Sequence, residues 1–286
     1  MADELSIPLT VEQIYGDWGL EWEDAVAVAD RSPGPRPRSS MYETLSSLGV
    51  SDGSYLLDIG GRDGAQALDL AERFRCRVLS VDPVQANLDA GVEPIADHEY
   101  GHLVESRLGS IDDVPAGDDT FEAIFSRDMM GHVEDLEGAL GECRRVLKPG
   151  GVMVIHDVFS TPMLEPAESA RLCSDLAQVP ERLDVELFER IVEEAGFVIE
   201  VVDRVGSEWL EHLLEGEDGE KRLLRVARLH RDRDRFVEAM GAVPYRVVQA
   251  NDLWTIYRMI GKLEDRVYGI RTKGATTGSK GPSHTA

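Results

Sequence analysis

The chain has 286 residues, 42% of them apolar, enough for one α/β domain with a sizeable core plus a cap or insertion, and too apolar for a disordered protein. Its 54 acidic residues against 30 basic ones give a net charge of -24, which argues against a nucleic-acid partner, since phosphate binding needs a basic face. No run of about 18 apolar residues and no signal-peptide pattern occurs, so a soluble, cytoplasmic protein without a membrane partner is expected.

Residues 1–54 read as an N-terminal helical lid segment. The stretch 11–23 carries Tyr15, Trp18 and Trp22, a proline-rich break covers 31–38, and 39–48 reads as a helix capped by Ser39 or Ser40. The aromatic residues either fold over a bound cofactor or pack on the domain surface.

The next stretch, residues 55–206, reads as a Rossmann-like cofactor-binding core. Residues 55–59 are a short apolar run with a β-branched end, as in a buried parallel strand. Gly60, Gly61 and Gly64 then form a tight loop into a helical stretch at 65–74, where backbone must approach a ligand closely. A second strand, 77–81, ends at Asp82, whose carboxylate is placed to accept from both hydroxyls of a ribose. Pro83 opens a helix over 84–91. Strands follow at 102–108, 121–126 and 152–158, with an amphipathic helix over 134–147 closed by Lys148-Pro149-Gly150-Gly151. A helix at 183–195 and a strand at 197–202 complete this part. Residues 207–262 form a charged helical insertion, suited to a substrate cap, 263–273 hold the last strand, and 274–286 read as a disordered tail.

The glycine spacing does not match the Gly-x-Gly-x-x-Gly of nicotinamide enzymes. Asp58, just before the loop, sits badly beside a pyrophosphate but suits the cationic methionine end of S-adenosylmethionine. Leu57-Asp58-Ile59-Gly60, Asp82, the Val114-Pro115…Asp118…Phe121 turn and Arg145-Val146-Leu147-Lys148-Pro149-Gly150-Gly151 occur in order. Together they resemble the class I S-adenosylmethionine-dependent methyltransferases. The resemblance implies an α/β fold with a seven-stranded, mostly parallel sheet, helices on both faces and a helical cap insertion before the last strand. It implies S-adenosylmethionine as cofactor and S-adenosylhomocysteine as product. It places Ser110 and Ile111 beside the adenine, Asp58, Gly60, Gly61, Gly64, Asp82 and Pro83 around the rest of the cofactor, and the Arg127 carbonyl on the methionine amine. Two departures, Arg62 at the usual middle glycine and Ser110 at the usual adenine-facing acid, keep open a non-methylating protein on the same fold.

Ser126-Arg127-Asp128-Met129-Met130-Gly131-His132 resembles a segment of the phosphoethanolamine and the sarcosine/dimethylglycine N-methyltransferases. In the former, the segment's aspartate and histidine serve catalysis with an N-terminal tyrosine, which implies Asp128, His132 and Tyr15 here. Val158 stands where the phosphobase enzymes have a tyrosine, so a different small amine is the expected acceptor, with O- or C-methylation in a biosynthetic pathway as the alternative. Methyl transfer needs no metal, only alignment, which is worth on the order of 7–11 kcal/mol. An amine must also lose a proton, for which a histidine steadied by a carboxylate is suited. Asp128 and His132 share a face if their segment begins a helix. As alternatives, His132 caps or packs and Asp128 caps the next helix. Trp18, His156, Trp254 and Tyr257 are candidate substrate contacts, with core packing the alternative for the last three. Trp209, Trp254 and Tyr257 in the insertion are suited either to an aromatic wall for a methylammonium group or to core packing. His98 and His102, four apart, invite a metal but read better as solvated loop histidines, and no metal is expected. Cys76, Cys143 and Cys173 show no metal spacing and read as core thiols. The oligomer is expected to be a monomer or homodimer.

Overall fold

A computed structural model of the chain describes residues 8–15, 22–30, 36–37, 39–208, 210–211 and 219–273. The chain divides into two units, residues 1–35 and 36–286. In the first, α1 (Val11–Tyr15) and α2 (Trp22–Ala29) bury none of their residues. Trp18 lies outside the described residues, and so do Trp209 and the 274–286 tail.

In the second unit, apolar runs bounded by turn residues form seven strands: β1 (Tyr55–Ile59), β2 (Arg77–Asp82), β3 (Val104–Leu108), β4 (Phe121–Arg127), β5 (Leu147–Ser160), β6 (Phe197–Val205) and β7 (Leu263–Thr272). They make one sheet in the order β3-β2-β1-β4-β5-β7-β6, parallel except where β7 runs against β5 and β6. This is the expected seven-stranded, mostly parallel α/β sheet. β1 and β4 are buried on both faces, which is why they read as continuous apolar runs.

Helices cover both faces. On one side α3 (Ser40–Ser47) and α4 (Ala65–Phe74) pack Met41, Leu45, Leu70 and Phe74 against Leu56, Val78 and Phe125. Residues 40–47 thus belong with the core rather than with a lid, and Ser39 stands at the cap of α3 without a side-chain cap bond. On the other side α6 (Leu136–Val146) and α8 (Val185–Glu194) pack Leu140, Cys143, Phe188 and Val192 on Ile124, Ile155 and Tyr268. The three cysteines are buried free thiols, and burial pushes Cys76 up to about 11 and Cys143 up to about 12.

Three elements differ most from expectation, the first being β5, which opens at Leu147 and takes in 148–151 where a helix stop and a strand from 152 were expected. α5 runs over Gln85–Asp97, past the expected end at 91, because Pro94 falls in its last turn and interrupts only one helical bond. α7 (Pro166–Leu176), for which no element was expected, opens on Pro166 with a capping box between Glu165 and Glu168. The insertion forms α9 (Gly219–Arg231), α10 (Arg233–Met240) and α11 (Ala242–Met259), with α11 packed on both α7 and α9. Among the described residues no helix is long and apolar enough to cross a membrane.

Candidate active site

Strand order reverses between β1 and β4, and a crevice opens there beyond the carboxyl ends of the strands. A cleft of about 1300 Å³ occupies it, lined by Gly60, Gly61, Arg62, Asp82, Pro83, Ser110, Ile111, Arg127, Asp128 and His132, among others. Ligand sites generally run to roughly 300–1,000 Å³, so there is room for a nucleoside cofactor and a small second molecule.

The loop after β1 forms the floor. A Cβ at Gly61 would lie 1.9 Å from Ser80 Oγ and 2.5 Å from Asp58 Oδ2, so only glycine lets the backbone lie this low. Arg62 adopts a left-handed backbone with φ 50°, the conformation that a glycine would take there without strain. The departure in sequence is therefore absorbed as local strain and not as a different loop. The Arg62 N–H donates to Asp82 Oδ2 at 3.0 Å. The other oxygen of Asp82 accepts from Val84 N and Asn87 Nδ2, each at 2.9 Å. Three donors fix the carboxylate, which retains acceptor capacity toward the cleft.

Asp58 is placed differently from the expectation of a direct cofactor contact. It is fully buried beneath the loop and does not line the cleft. Gln66 Nε2 donates to its Oδ1 at 2.6 Å and Ser80 Oγ to its Oδ2 at 3.3 Å. Burial still dominates and raises its pKa to about 6. Gly64 likewise stays outside the lining and serves as the left-handed N-cap of α4, with φ 77°.

Asp128 and His132 both line the cleft, though their segment does not begin a helix. Asp128 has a left-handed backbone with φ 52°, and residues 130–132 form a single 3-10 turn before α6 starts at Leu136. His132 is fixed from across the chain: Nδ1 lies 2.9 Å from the Ala177 carbonyl oxygen. A carbonyl only accepts, so Nδ1 carries the proton and the neutral ring keeps its lone pair at Nε2. Val179 N donates to the Gly131 carbonyl at 2.8 Å, and Arg182 donates to the carbonyls of Val133 and Glu134 at 2.8 and 2.6 Å. The segment after α7 thus clamps the histidine turn. Burial alone would raise the Asp128 pKa, but the charges of His156, Arg258 and Arg127 hold it below the usual carboxylate range.

Three candidate substrate contacts lie elsewhere. His156 is 1% exposed, sits behind Asp128 and does not line the cleft. Tyr257 lines a separate cavity of about 280 Å³ between α7 and α11, and Trp254 packs beside Val158, Leu172 and Leu263. The aromatic wall expected from Trp254 and Tyr257 is therefore core packing between cap and sheet. Tyr15, in the other unit, is 84% exposed. His98 and His102 do not converge: His102 Nδ1 bonds the Glu99 carbonyl, while His98 faces Glu72 at 4.0 Å. Sequence reasoning missed Asp112 and Asn251, which line the cleft. Asp112, two residues after Ser110, was available as a local signal, whereas Asn251 on α11 was not.

Residues 57–155 match the family model described as a methyltransferase domain. The chain carries a methyltransferase domain. S-adenosylmethionine is the cofactor of this domain, and the glycine floor and Asp82 fit a nucleoside there. The chain is 30% identical over 141 residues to a sarcosine/dimethylglycine N-methyltransferase of Halorhodospira halochloris, covering 49% of this chain and 48% of that protein. It is 29% identical over 202 residues to the erythromycin 3''-O-methyltransferase of Saccharopolyspora erythraea, covering 65% and 66% of the two chains. It thus spans about half to two thirds of the length of these relatives. Among solved structures, phosphoethanolamine N-methyltransferase 2 of Haemonchus contortus, with phosphomonomethylethanolamine and S-adenosylhomocysteine bound, superposes with a TM-score of 0.62 at 20% identity. That match covers 85% of this chain and 54% of the other, and it confirms the fold of the methyltransferase domain.

Proposed function

We propose that the protein transfers a methyl group from S-adenosylmethionine to an amine nitrogen of a small molecule, with His132 as general base and Asp128 as the anion that steadies the developing ammonium. The observation that carries this reading is the bond from His132 Nδ1 to Ala177, which leaves Nε2 as the basic atom on a residue that lines the cleft. When bound, the cofactor supplies a methyl group on a sulfonium. The protein then holds the acceptor in line, His132 Nε2 takes the amine proton, and Asp128 lowers the energy of the nitrogen as it becomes positive.

Charge supports an amine over a phosphorylated acceptor. Among the described residues, seven carboxylates and two guanidiniums line the cleft, with Asp128, Glu134 and Asp135 beside His132. Such a wall attracts an ammonium and repels a phosphate. In this reading Asp82 takes the ribose hydroxyls, Ser110, Ile111 and Asp112 flank the adenine, and Gly60, Gly61, Pro83 and the Arg127 carbonyl complete the cofactor site. Asp58 acts through the loop as a buried charge. Tyr15 and Trp18 are retained as candidates for catalysis and for acceptor contact on the strength of the sequence.

The test is an acceptor panel containing sarcosine, dimethylglycine, other small secondary amines and hydroxyl compounds, run with wild type and His132→Asn. Asparagine keeps a donor to the Ala177 carbonyl but offers no base. Turnover of an amine, lowered roughly 10²–10⁴-fold in the variant with cofactor binding retained, supports the reading. Turnover of hydroxyl compounds alone would favour O-methylation instead, and an unaffected His132→Asn would remove the base.

A further inference from the structure

His156 was expected at the substrate and lies instead in a buried chain of charges that ends on Asp128. Its Nδ1 is 3.4 Å from Asp128 Oδ1 and its Nε2 is 2.9 Å from Asp265 Oδ1. Asp265, 1% exposed on β7, is gripped from the last turn of α11 by Arg258, whose Nε donates to Oδ2 at 2.8 Å and whose Nη2 donates to Oδ1. The backbone closes the same unit, because Asp128 N donates to the His156 carbonyl at 2.9 Å where β4 meets β5. Charges along the chain alternate from carboxylate to imidazole to carboxylate to guanidinium. A carboxylate oxygen faces each ring nitrogen, Asp265 at hydrogen-bond distance from Nε2 and Asp128 at ion-pair distance from Nδ1.

One ligand atom each from Asp128, His156 and Asp265 lies within 4.8 Å of the others, a spacing that a cation could also use. Arg258 already supplies the positive charge, occupying both oxygens of Asp265. The group facing outward is Asp128, whose side chain is 38% exposed while His156 and Asp265 are each 1% exposed. Asp128 also has a strained left-handed backbone, a conformation that persists where its surroundings over-determine it.

We infer that His156, anchored by Asp265 and Arg258, is a positioning residue that holds the Asp128 carboxylate as a fixed anion at the point where the methyl group is transferred. The inference rests on the reading that Asp128 faces that point. It also ties the cap to the chemistry, since Arg258 belongs to α11 and its partners to the sheet.

Sinefungin carries an amine where the cofactor carries its transferred methyl group. Its affinity relative to S-adenosylhomocysteine therefore reads the charge at that point without an acceptor. Calorimetric titration of wild type should show sinefungin favoured by about tenfold. Asp128→Asn and His156→Asn should each bring the ratio near one while leaving S-adenosylhomocysteine affinity within about twofold, and the double variant should lose nothing more, as expected for two residues acting through one contact. Arg258→Lys keeps the charge but not the fork, should give an intermediate ratio, and serves where His156→Asn does not fold. A wild-type ratio of one, an unchanged ratio in both His156→Asn and Arg258→Lys, or losses that multiply in the double variant would overturn the inference. The amine reading fails separately: a protein with this sinefungin pattern that methylates only hydroxyl acceptors keeps the positioning role and loses the amine.

Discussion

The main-chain N–H of Arg62, a residue with a left-handed φ of 50°, donates to Asp82 Oδ2 at 3.0 Å. The Asp82 carboxylate is thus held here by the main chain and not by the arginine side chain.

Arg62→Gly should therefore retain cofactor binding. The left-handed conformation costs a non-glycine residue about 1–2 kcal/mol, and glycine gives back about 0.5–1 kcal/mol through its freer unfolded chain. Denaturant unfolding should show a gain of up to about 1 kcal/mol. Arg62→Pro removes the N–H and fixes φ near -65°, so cofactor titration should show affinity lost.

The loop was legible in sequence because its parts are contiguous: a buried strand, Gly60 and Gly61, a helix, and an acid at the end of the next strand. The strands of the sheet were legible for the same reason. What holds His132 was not. Its partner at Ala177 is 45 residues away, and an alanine with a left-handed backbone leaves no mark in the sequence. Asp265 lies 109 residues from His156, so both read as isolated polar residues within strands. Asp128 and His132 were identified as a pair, but on a helical spacing that the 3-10 turn does not have.

The buried Asp58 carries a pH signature. Its pKa rises from an ordinary 3.8 to about 6, so between those values the folded state binds more protons than the unfolded state. Stability therefore falls as pH rises through this window, and the penalty is fully present above pH 6. Asp58→Asn keeps partners for Gln66 and Ser80 with no charge to bury. Unfolding measured from pH 4 to 7 should show a flatter profile and higher stability at pH 7. Cofactor affinity should fall a few-fold, since the negative charge buried behind the loop is lost. Asp157, also buried and raised to about 6, retains part of the slope in the variant.

Arg182 bonds the Val133 and Glu134 carbonyls, and no other described side chain ties these carbonyls to the segment after α7. Arg182→Ala leaves His132 with its Ala177 bond but frees the turn around it. A misplacement of about 1 Å can cost on the order of 10²-fold in rate. Turnover of whichever acceptor the panel identifies should fall by about 10–100-fold, while S-adenosylhomocysteine titration changes little, because Arg182 bonds neither the glycine loop nor Asp82. Equal losses in both would mean that Arg182 supports the whole cleft and not the histidine turn.

Asp252 is 1% exposed on α11 and receives Arg222 and Arg225 from α9, next to Asn251 in the cleft wall. Removing the carboxylate takes away the anion that Arg222 and Arg225 share and loosens α9 from α11. Asp252→Ala should destabilise the protein by on the order of 2 kcal/mol, below the 3–5 kcal/mol of a fully buried pair because water reaches the arginines. Asn251→Ala should leave stability unchanged and raise the KM for the acceptor. If both variants alter only stability, α11 closes the cleft without touching the acceptor. If both raise the acceptor KM with cofactor affinity intact, the ion pair places Asn251, and the insertion helps to select the substrate.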